Sequence, residues 1–361
     1  VQLVGTAGIR RYVILDAYRG VAAFAVLLYH IGAPLKIEGL TSHAYLAVDF
    51  FFLLSGFVLD RAYSPRLRYS SFRPEFLLRR LARLWPMIAL GTLLGAVVTI
   101  GSIWKGRPLD LGELLLALAF GLSLLPFGRM PPSELIFPLN GPLWSLFYEM
   151  VVNGVYCLAF RWLRAAVLLV VIAATAVGLI FVASAKGDLD IGGGTGAYLA
   201  GAFRVGFSFF MGVLLSRIKA PFDFRTGTAA ILPAVLICIL VTPLPQHPLY
   251  DLACVLVAFP FLIFVSAEIS PPPFWERPCE LMGELSYPLY AIHYPIMRVF
   301  QYVQETRAMS GATLAASVVV EIFVCLGAAY LATKFVDRPA RDGLTSWARS
   351  AFSPRTTALT P

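Results

Sequence analysis

The chain has 361 residues, 58% of them hydrophobic and only 14% charged, with a mean hydropathy of +0.76. A water-facing globular surface needs roughly 25% charged residues, so the composition excludes a soluble globular protein and leaves no room for a second large soluble domain. The net charge of +8 raises nucleic-acid binding as a class, but in so apolar a chain the informative question is which loops hold the charge.

In chain order, ten apolar segments have spanning character, at about 13–33, 45–60, 78–100, 142–160, 165–183, 197–215, 228–242, 250–267, 286–302 and 312–335. Crossing a hydrocarbon core takes about 20 residues. The first segment follows Arg10 and Arg11 and runs at full length, which argues against a cleaved signal peptide. Between the third and fourth lies a shorter stretch, Leu111 to Pro126, with Glu113 inside it and Pro131, Pro132 and Pro138 after it. Charge decides its path. If residues 101–141 stay outside or re-enter, 21 of the 29 Lys and Arg residues fall inside. Six then fall outside (Lys36, Lys105, Arg107, Arg129, Lys186, Arg307), and Arg204 and Arg298 lie within spans. A single crossing by the extra stretch would level the tally to 13 against 14. The expectation is an all-α, polytopic transmembrane bundle of about ten spans plus a re-entrant or interfacial helix, both termini cytoplasmic. One membrane domain covers 1–341, and a short cytoplasmic tail that frays covers 342–361. No internal repeat is visible, so the pattern of many transporters is missing. The five cysteines, Cys157, Cys238, Cys254, Cys279 and Cys325, lack metal-ligand spacing and read as packing residues, with no metal site.

Ionisable groups within spans cost about 3 kcal/mol or more and usually mark a site. The first segment carries Asp16, Arg19 and His30. Arg19 and His30 are eleven positions apart, which places them on one helix face about 16 Å apart along the axis. Asp49 stands near the outer end of the second segment and could orient the His30 imidazole. Glu149 lies about two turns into the fourth, after Trp144 and Ser145. Arg204 lies in the sixth segment. Tyr290 and His293 lie in the ninth, where Pro288 and Pro295 suggest a distorted, cavity-lining helix. Arg79, Arg80 and Arg83 cluster at the inner mouth of the third, and clustered guanidiniums suit phosphate. Each has a plainer reading. Arg19 could snorkel beside Asp16, Asp49 could sit among headgroups, and Glu149 could pair with Arg204. His30 and His293 could be packing histidines, and the arginines ordinary inner-side charge.

Taken together these residues resemble the acyltransferase-3 family of membrane-bound acyltransferases. Leu15-Asp16-Ala17-Tyr18-Arg19-Gly20 followed by His30 is similar to its arginine–ten residues–histidine signature. Val48 to Phe57 resembles its aspartate–aromatic–Ser-Gly-Phe motif, and Arg79 to Pro86 its arginine-rich third span. Trp144-Ser145-Leu146 with Glu149, and Gly283-Glu284-Leu285-Ser286-Tyr287 with Tyr290 and His293, resemble two later motifs. The order and spacing hold from about Ile14 to Arg341. The chain departs from the pattern in the prolines flanking His293 and in Asp337-Arg338-Pro339, where a glutamate is usual.

The resemblance implies transfer of an acyl group, commonly acetyl, from acyl-CoA to a hydroxyl of a surface glycan, glycolipid or related acceptor. The setting is a multi-pass protein of the cell (inner) membrane, surrounded by lipid and binding no nucleic acid. Arg79, Arg80 and Arg83 would then hold CoA phosphates, Arg19 would guide the pantetheine arm, and His30 would take the acceptor proton. Asp49 or Glu149 would set its tautomer, with Asp16, Trp144, Ser145, Arg204, Tyr290 and His293 lining the cavity. A covalent acyl-histidine relay is a variant of this chemistry. The rival reading is a proton-coupled transporter or flippase for a glycan or lipid intermediate, in which the same residues form a proton or substrate path. His43 and His247 fall in outer loops and are expected to be inert.

Overall fold

The computed structural model describes residues 12–32, 41–101, 110–128, 130, 133–218, 231–267, 269 and 271–352, with side chains as far as 347. Lys36, Lys105, Arg107, Arg129, Arg10, Arg11 and the last residues of the tail, all used in the charge tally or its topology, lie outside this set. Among the described residues the chain is helical, apart from one isolated antiparallel bridge between Leu135 and Gly194. The helices are α1 (Val13–Gly32), α2 (Ala47–Leu67), α3 (Arg73–Gly101), α4 (Leu111–Leu122), α5 (Leu143–Ala159), α6 (Ala165–Lys186) and α7 (Tyr198–Ser216). They continue as α8 (Ile231–Leu240), α9 (Pro248–Ala253), α10 (Phe259–Ser266), α11 (Pro273–Thr306), α12 (Gly311–Ala332) and α13 (Arg338–Phe352). Single π-turns, Cys254–Ala258 and Thr333–Asp337, join α9 to α10 and α12 to α13.

Six helical stretches are long and apolar enough to cross a membrane: Val13–Gly32, Ser70–Gly101, Ala165–Lys186, Tyr198–Ser216, Pro248–Ser266 and Gly311–Trp347. The other four expected segments also lie on helices, but α2 and α11 carry more polar residues and α5 and α8 are shorter. Large apolar side chains on these helices face outward, among them Val170, Phe181, Leu199, Phe261 and Phe323. An exposed apolar belt of this kind suits lipid rather than water.

Two close helix pairs position the interior. α1 and α11 run side by side in the same direction: Gly20 meets the Cβ of Met282, and Gly283 meets Asp16. A side chain at either glycine would push the helices apart, as small residues permit close packing in membranes. α2 lies along α7, where Gly56 touches the Phe209 carbonyl and Gly212 the Leu53 carbonyl. The α2–α7 pair is fastened near its other end by Asp60, which accepts from Arg217 (2.8 Å), Ser216 (2.6 Å) and Tyr156 (2.8 Å).

α4 has 12 residues and is about 18 Å long, too short to span. It descends along α3 until the Trp85 indole N–H donates to the Leu122 carbonyl at 3.0 Å. The chain then turns back: Phe127 N–H donates to Ile136 O at 2.9 Å, and Leu139 returns to the backbone of Gly95.

Two expectations need correction. The tail beyond 341 is not frayed at its start, because α13 continues helical to Phe352 and packs against α3. The reason is its amphipathic pattern: Leu344 and Trp347 meet Leu78, Leu81, Ala82 and Trp85 around an apolar cavity of about 160 Å³. His43 is not a loose loop residue either. It is fully buried, with Nδ1 3.1 Å from Asp251 and its ring 4.2 Å from that of Tyr250. Burial of a polar group requires such partners. His247 is exposed, as expected.

Candidate functional site

His30, in the last turn of α1, faces His293 of α11, with His293 Nε2 3.2 Å from His30 Nδ1. The hydrogen-bond acceptors around the pair determine its protons. His293 Nδ1 faces two backbone carbonyls, Leu289 O at 3.1 Å and Tyr290 O at 2.9 Å, so it carries a hydrogen. In the neutral ring Nε2 is then an acceptor. His30 Nδ1 lies 2.9 Å from Val26 O, so it too carries a hydrogen, shared between Val26 O and His293 Nε2. The remaining nitrogen, His30 Nε2, keeps its lone pair and has no hydrogen-bond partner among the described residues. The ring is enclosed by the edges of Tyr29 and Tyr294, with centroids at 5.4 and 5.7 Å.

α11 is shaped for this contact. Pro295 has no N–H to give to Ala291 O, four residues earlier, so that carbonyl is freed. The Asn140 side-chain amide donates to it at 2.8 Å, tying the returning arm after α4 to the His293 turn. One turn earlier, Tyr290 OH and Ser145 Oγ are 2.6 Å apart. Tyr290 and Ser145 therefore pack together in the interior one turn from His293.

Asp49 does not reach His30. It is fully buried against Arg204, which holds it through Nη2 (2.5 Å) and Nε (3.1 Å). Arg204 also donates to Ile191 O (2.7 Å) and Tyr45 O (3.0 Å), and its guanidinium lies over the Trp144 ring at 5.4 Å. The physical reason is helix pairing. α2 packs along α7, which turns Asp49 toward Arg204 rather than toward α1. The Glu149–Arg204 pair of the plainer reading is not formed, for the same reason. Glu149 instead accepts from Arg80 (2.7 Å) and from Ser55 of α2 (2.6 Å).

A second polar group therefore forms along the N-terminal half of α3. Arg79 pairs with Glu75, Arg80 with Glu149, and Arg83 with Asp337 at 3.2 Å. Arg83 also lies 5.1 Å over the Tyr287 ring. Arg19 is 3.8 Å from Asp16 and is an electrostatic neighbour of Arg80, Arg83 and Glu149. Arg73 stands seven residues before Arg80, two turns away on the same face. Arg73 Nε and Nη2 and Arg80 Nε are buried with no partner. Buried donors of this kind call for an acceptor, and a phosphate oxygen fits them. Arg73 and Asp337, the latter noted only as a departure from the family pattern, were not among the candidate site residues. The heptad step from Arg73 to Arg80 was the available signal.

Among the described residues no group of three or more His, Cys, Asp or Glu side chains could hold a metal ion. A family model described as an acyltransferase domain matches residues 12–334. Protein 2 in the picA locus of Rhizobium radiobacter is 39% identical over 168 residues, covering 42% of this chain and 82% of that protein. Acyltransferase MdmB of Streptomyces mycarofaciens is 30% identical over 168 residues, covering 42% of this chain but only 39% of that enzyme. No solved structure matches the chain. The match over residues 12–334 places the chain in the acyltransferase-3 family.

Proposed function

We propose that this member of the acyltransferase family moves an acyl group, acetyl in the first instance, from cytoplasmic acyl-CoA to a hydroxyl of a surface glycan, glycolipid or related acceptor. His30 is the general base, and the protein works as a multi-pass protein of the cell membrane. The observation that carries this reading is the unpartnered Nε2 of His30, whose Nδ1 is committed to Val26 O and His293.

The chemistry balances at that nitrogen. His30 Nε2 takes the acceptor hydroxyl proton as the oxygen attacks the thioester carbonyl. The new C–O bond forms, the C–S bond breaks, and the CoA thiolate takes the proton back from His30 to leave as the free thiol. Throughout, Nδ1–H keeps its acceptors, and the His293 Nε2 lone pair stabilises the imidazolium. His293 thus takes the orienting place that Asp49 and Glu149 do not occupy.

The donor reading rests on the inner arginines. Arg73 and Arg80 would grip phosphate, and Arg19 lies between them and His30, about 16 Å short of the histidine along α1. Arg79 and Arg83, which have carboxylate partners, would shape the mouth. Arg80→Ala would strand Glu149 without a cation and Arg83→Ala would leave Asp337 with Arg341 alone, so Arg73 gives the cleaner test. Arg73→Ala should raise the apparent KM for acyl-CoA about tenfold, the worth of a charge-assisted hydrogen bond. Arg73→Lys should restore part of it, since lysine lacks the planar fork. An unchanged KM in folded Arg73→Ala protein would assign these arginines to topology alone.

The activity itself is testable with purified protein in lipid nanodiscs, radiolabelled acetyl-CoA and glycan acceptors. Acceptor-dependent release of CoA with label in the glycan is the expected result. Movement of unmodified glycan across proteoliposomes without CoA release would replace this reading with a transporter.

A further inference from the structure

The loop between α6 and α7 reaches the neighbourhood of His30 through Tyr29. Tyr29, adjacent to His30 in α1, packs edge-on against the His30 ring, at 5.4 Å between centroids, and its hydroxyl donates to the Asp190 carboxylate. The Asp190 side chain is exposed, its backbone N–H is held by Asp188 at 2.9 Å, and among the described residues no cation pairs with it. The loop carrying it is firmly placed. Leu189 N–H donates to buried Asp251 at 2.9 Å, Arg204 holds Ile191 O, and Gly192 lies flat on the Trp144 ring. Ile136 N–H donates to Gly193 O at 2.9 Å, and Thr195 N–H donates to Glu134 O at 2.8 Å. On the other flank of His30 stands Tyr294, with Arg298 one turn farther along α11.

We propose that Asp190, held by Tyr29, is a specificity-determining residue that selects acceptors carrying a hydrogen-bond donor beside the hydroxyl to be acylated. This rests on the reading of His30 as the base. A reacting hydroxyl on His30 Nε2 lies beside the Tyr29 ring, and a neighbouring hydroxyl or amine of the same acceptor donates to the free lone pairs of Asp190. A carboxylate with no cation in direct contact among the described residues, and only the longer-range influence of Arg204, is a strong acceptor for such a donor. A site built to take that donor disfavours an acceptor lacking it, because the carboxylate must then give up solvent for nothing. The fixed loop matters here, since a preorganised acceptor group loses little entropy on binding.

The test uses two small alcohols, cyclohexanediol with adjacent hydroxyls and its monomethyl ether, with acetyl-CoA and the purified protein in nanodiscs. The ether keeps the size and the oxygen but lacks the donor. The wild type should acylate the diol with kcat/KM about tenfold or more above the ether. Asp190→Ala should bring the ratio close to one, chiefly through loss of kcat/KM for the diol, and Tyr29→Phe, which frees the carboxylate from its anchor, should fall between. Asp190 is exposed, so its truncation leaves folding intact. Equal use of both alcohols by the wild type, or an undiminished preference in Asp190→Ala, would overturn the inference and leave the role of His30 standing. Failure to release CoA with either alcohol would overturn both.

Discussion

His30→Gln should insert and fold as the wild type does and lose acyl transfer by about 10²–10⁴-fold, the usual worth of a general base. The glutamine amide can still hydrogen-bond near Val26 O and His293, so packing at the end of α1 is largely kept. It cannot take a proton at neutral pH. His30→Ala should show the same loss, with somewhat lower stability from the vacated volume. His293→Ala should lose less than either, because Val26 O alone still fixes the His30 tautomer. His247→Ala, in an exposed position, serves as the control. His43 does not qualify, since it is buried against Asp251 and its loss would leave that carboxylate partly unpaired. The readout is acetyl transfer per folded molecule, with folding judged by monodispersity in detergent. Wild-type turnover in folded His30→Gln would remove the base and turn attention to His293. Misfolding of both His30 variants, with His293→Ala unaffected, would make His30 a packing residue.

Much of this site was legible in the sequence because it is written in residue types that lipid does not tolerate. His30, Glu149, Arg80 and His293 stood out as ionisable groups in apolar segments, and all lie in the interior. The shortness of the Leu111–Pro126 helix was legible in its interrupted apolar run. What the sequence did not disclose is which polar group meets which, because pairing depends on helix neighbours far apart in the chain. Asp49 and His30 occupy comparable ends of consecutive helices, yet α2 lies along α7. Only the glycine contacts at Gly56 and Gly212 record that choice. Likewise His293 joins His30 because Gly20 and Gly283 let α1 and α11 run close together. A lone glycine in an apolar helix does not name its partner. The helical start of the tail was missed for a different reason. Its mean polarity hid an amphipathic face that finds α3.

Breaking the Asp49–Arg204 pair should cost stability rather than chemistry. Both side chains are essentially out of solvent, Arg204 at 1% and Asp49 at 0% exposure. Asp49→Ala would leave a buried guanidinium with the carbonyls of Ile191 and Tyr45 and the face of Trp144 in contact, and no carboxylate bonded to it among the described residues. An uncompensated buried charge of this kind costs about 3–5 kcal/mol. Arg204→Ala should cost at least as much, since it strands the carboxylate and both carbonyls and loosens the loop that bears Asp190. The double variant leaves only the two carbonyls unpaired. It should therefore be less destabilised than the sum of the singles, with a coupling of about 1–3 kcal/mol in a double-mutant cycle. Unfolding of the four proteins in one detergent, followed by tryptophan fluorescence, measures this directly. Additive losses would show that the two side chains do not depend on each other. Asp49→Asn adds the chemical control, because it keeps the shape and an acceptor oxygen while removing the charge. Its folded fraction should fall, and its acetyl transfer per folded molecule should stay within a few-fold of wild type. A loss as deep as that of His30→Gln in folded Asp49→Asn protein would return Asp49 to the reaction itself.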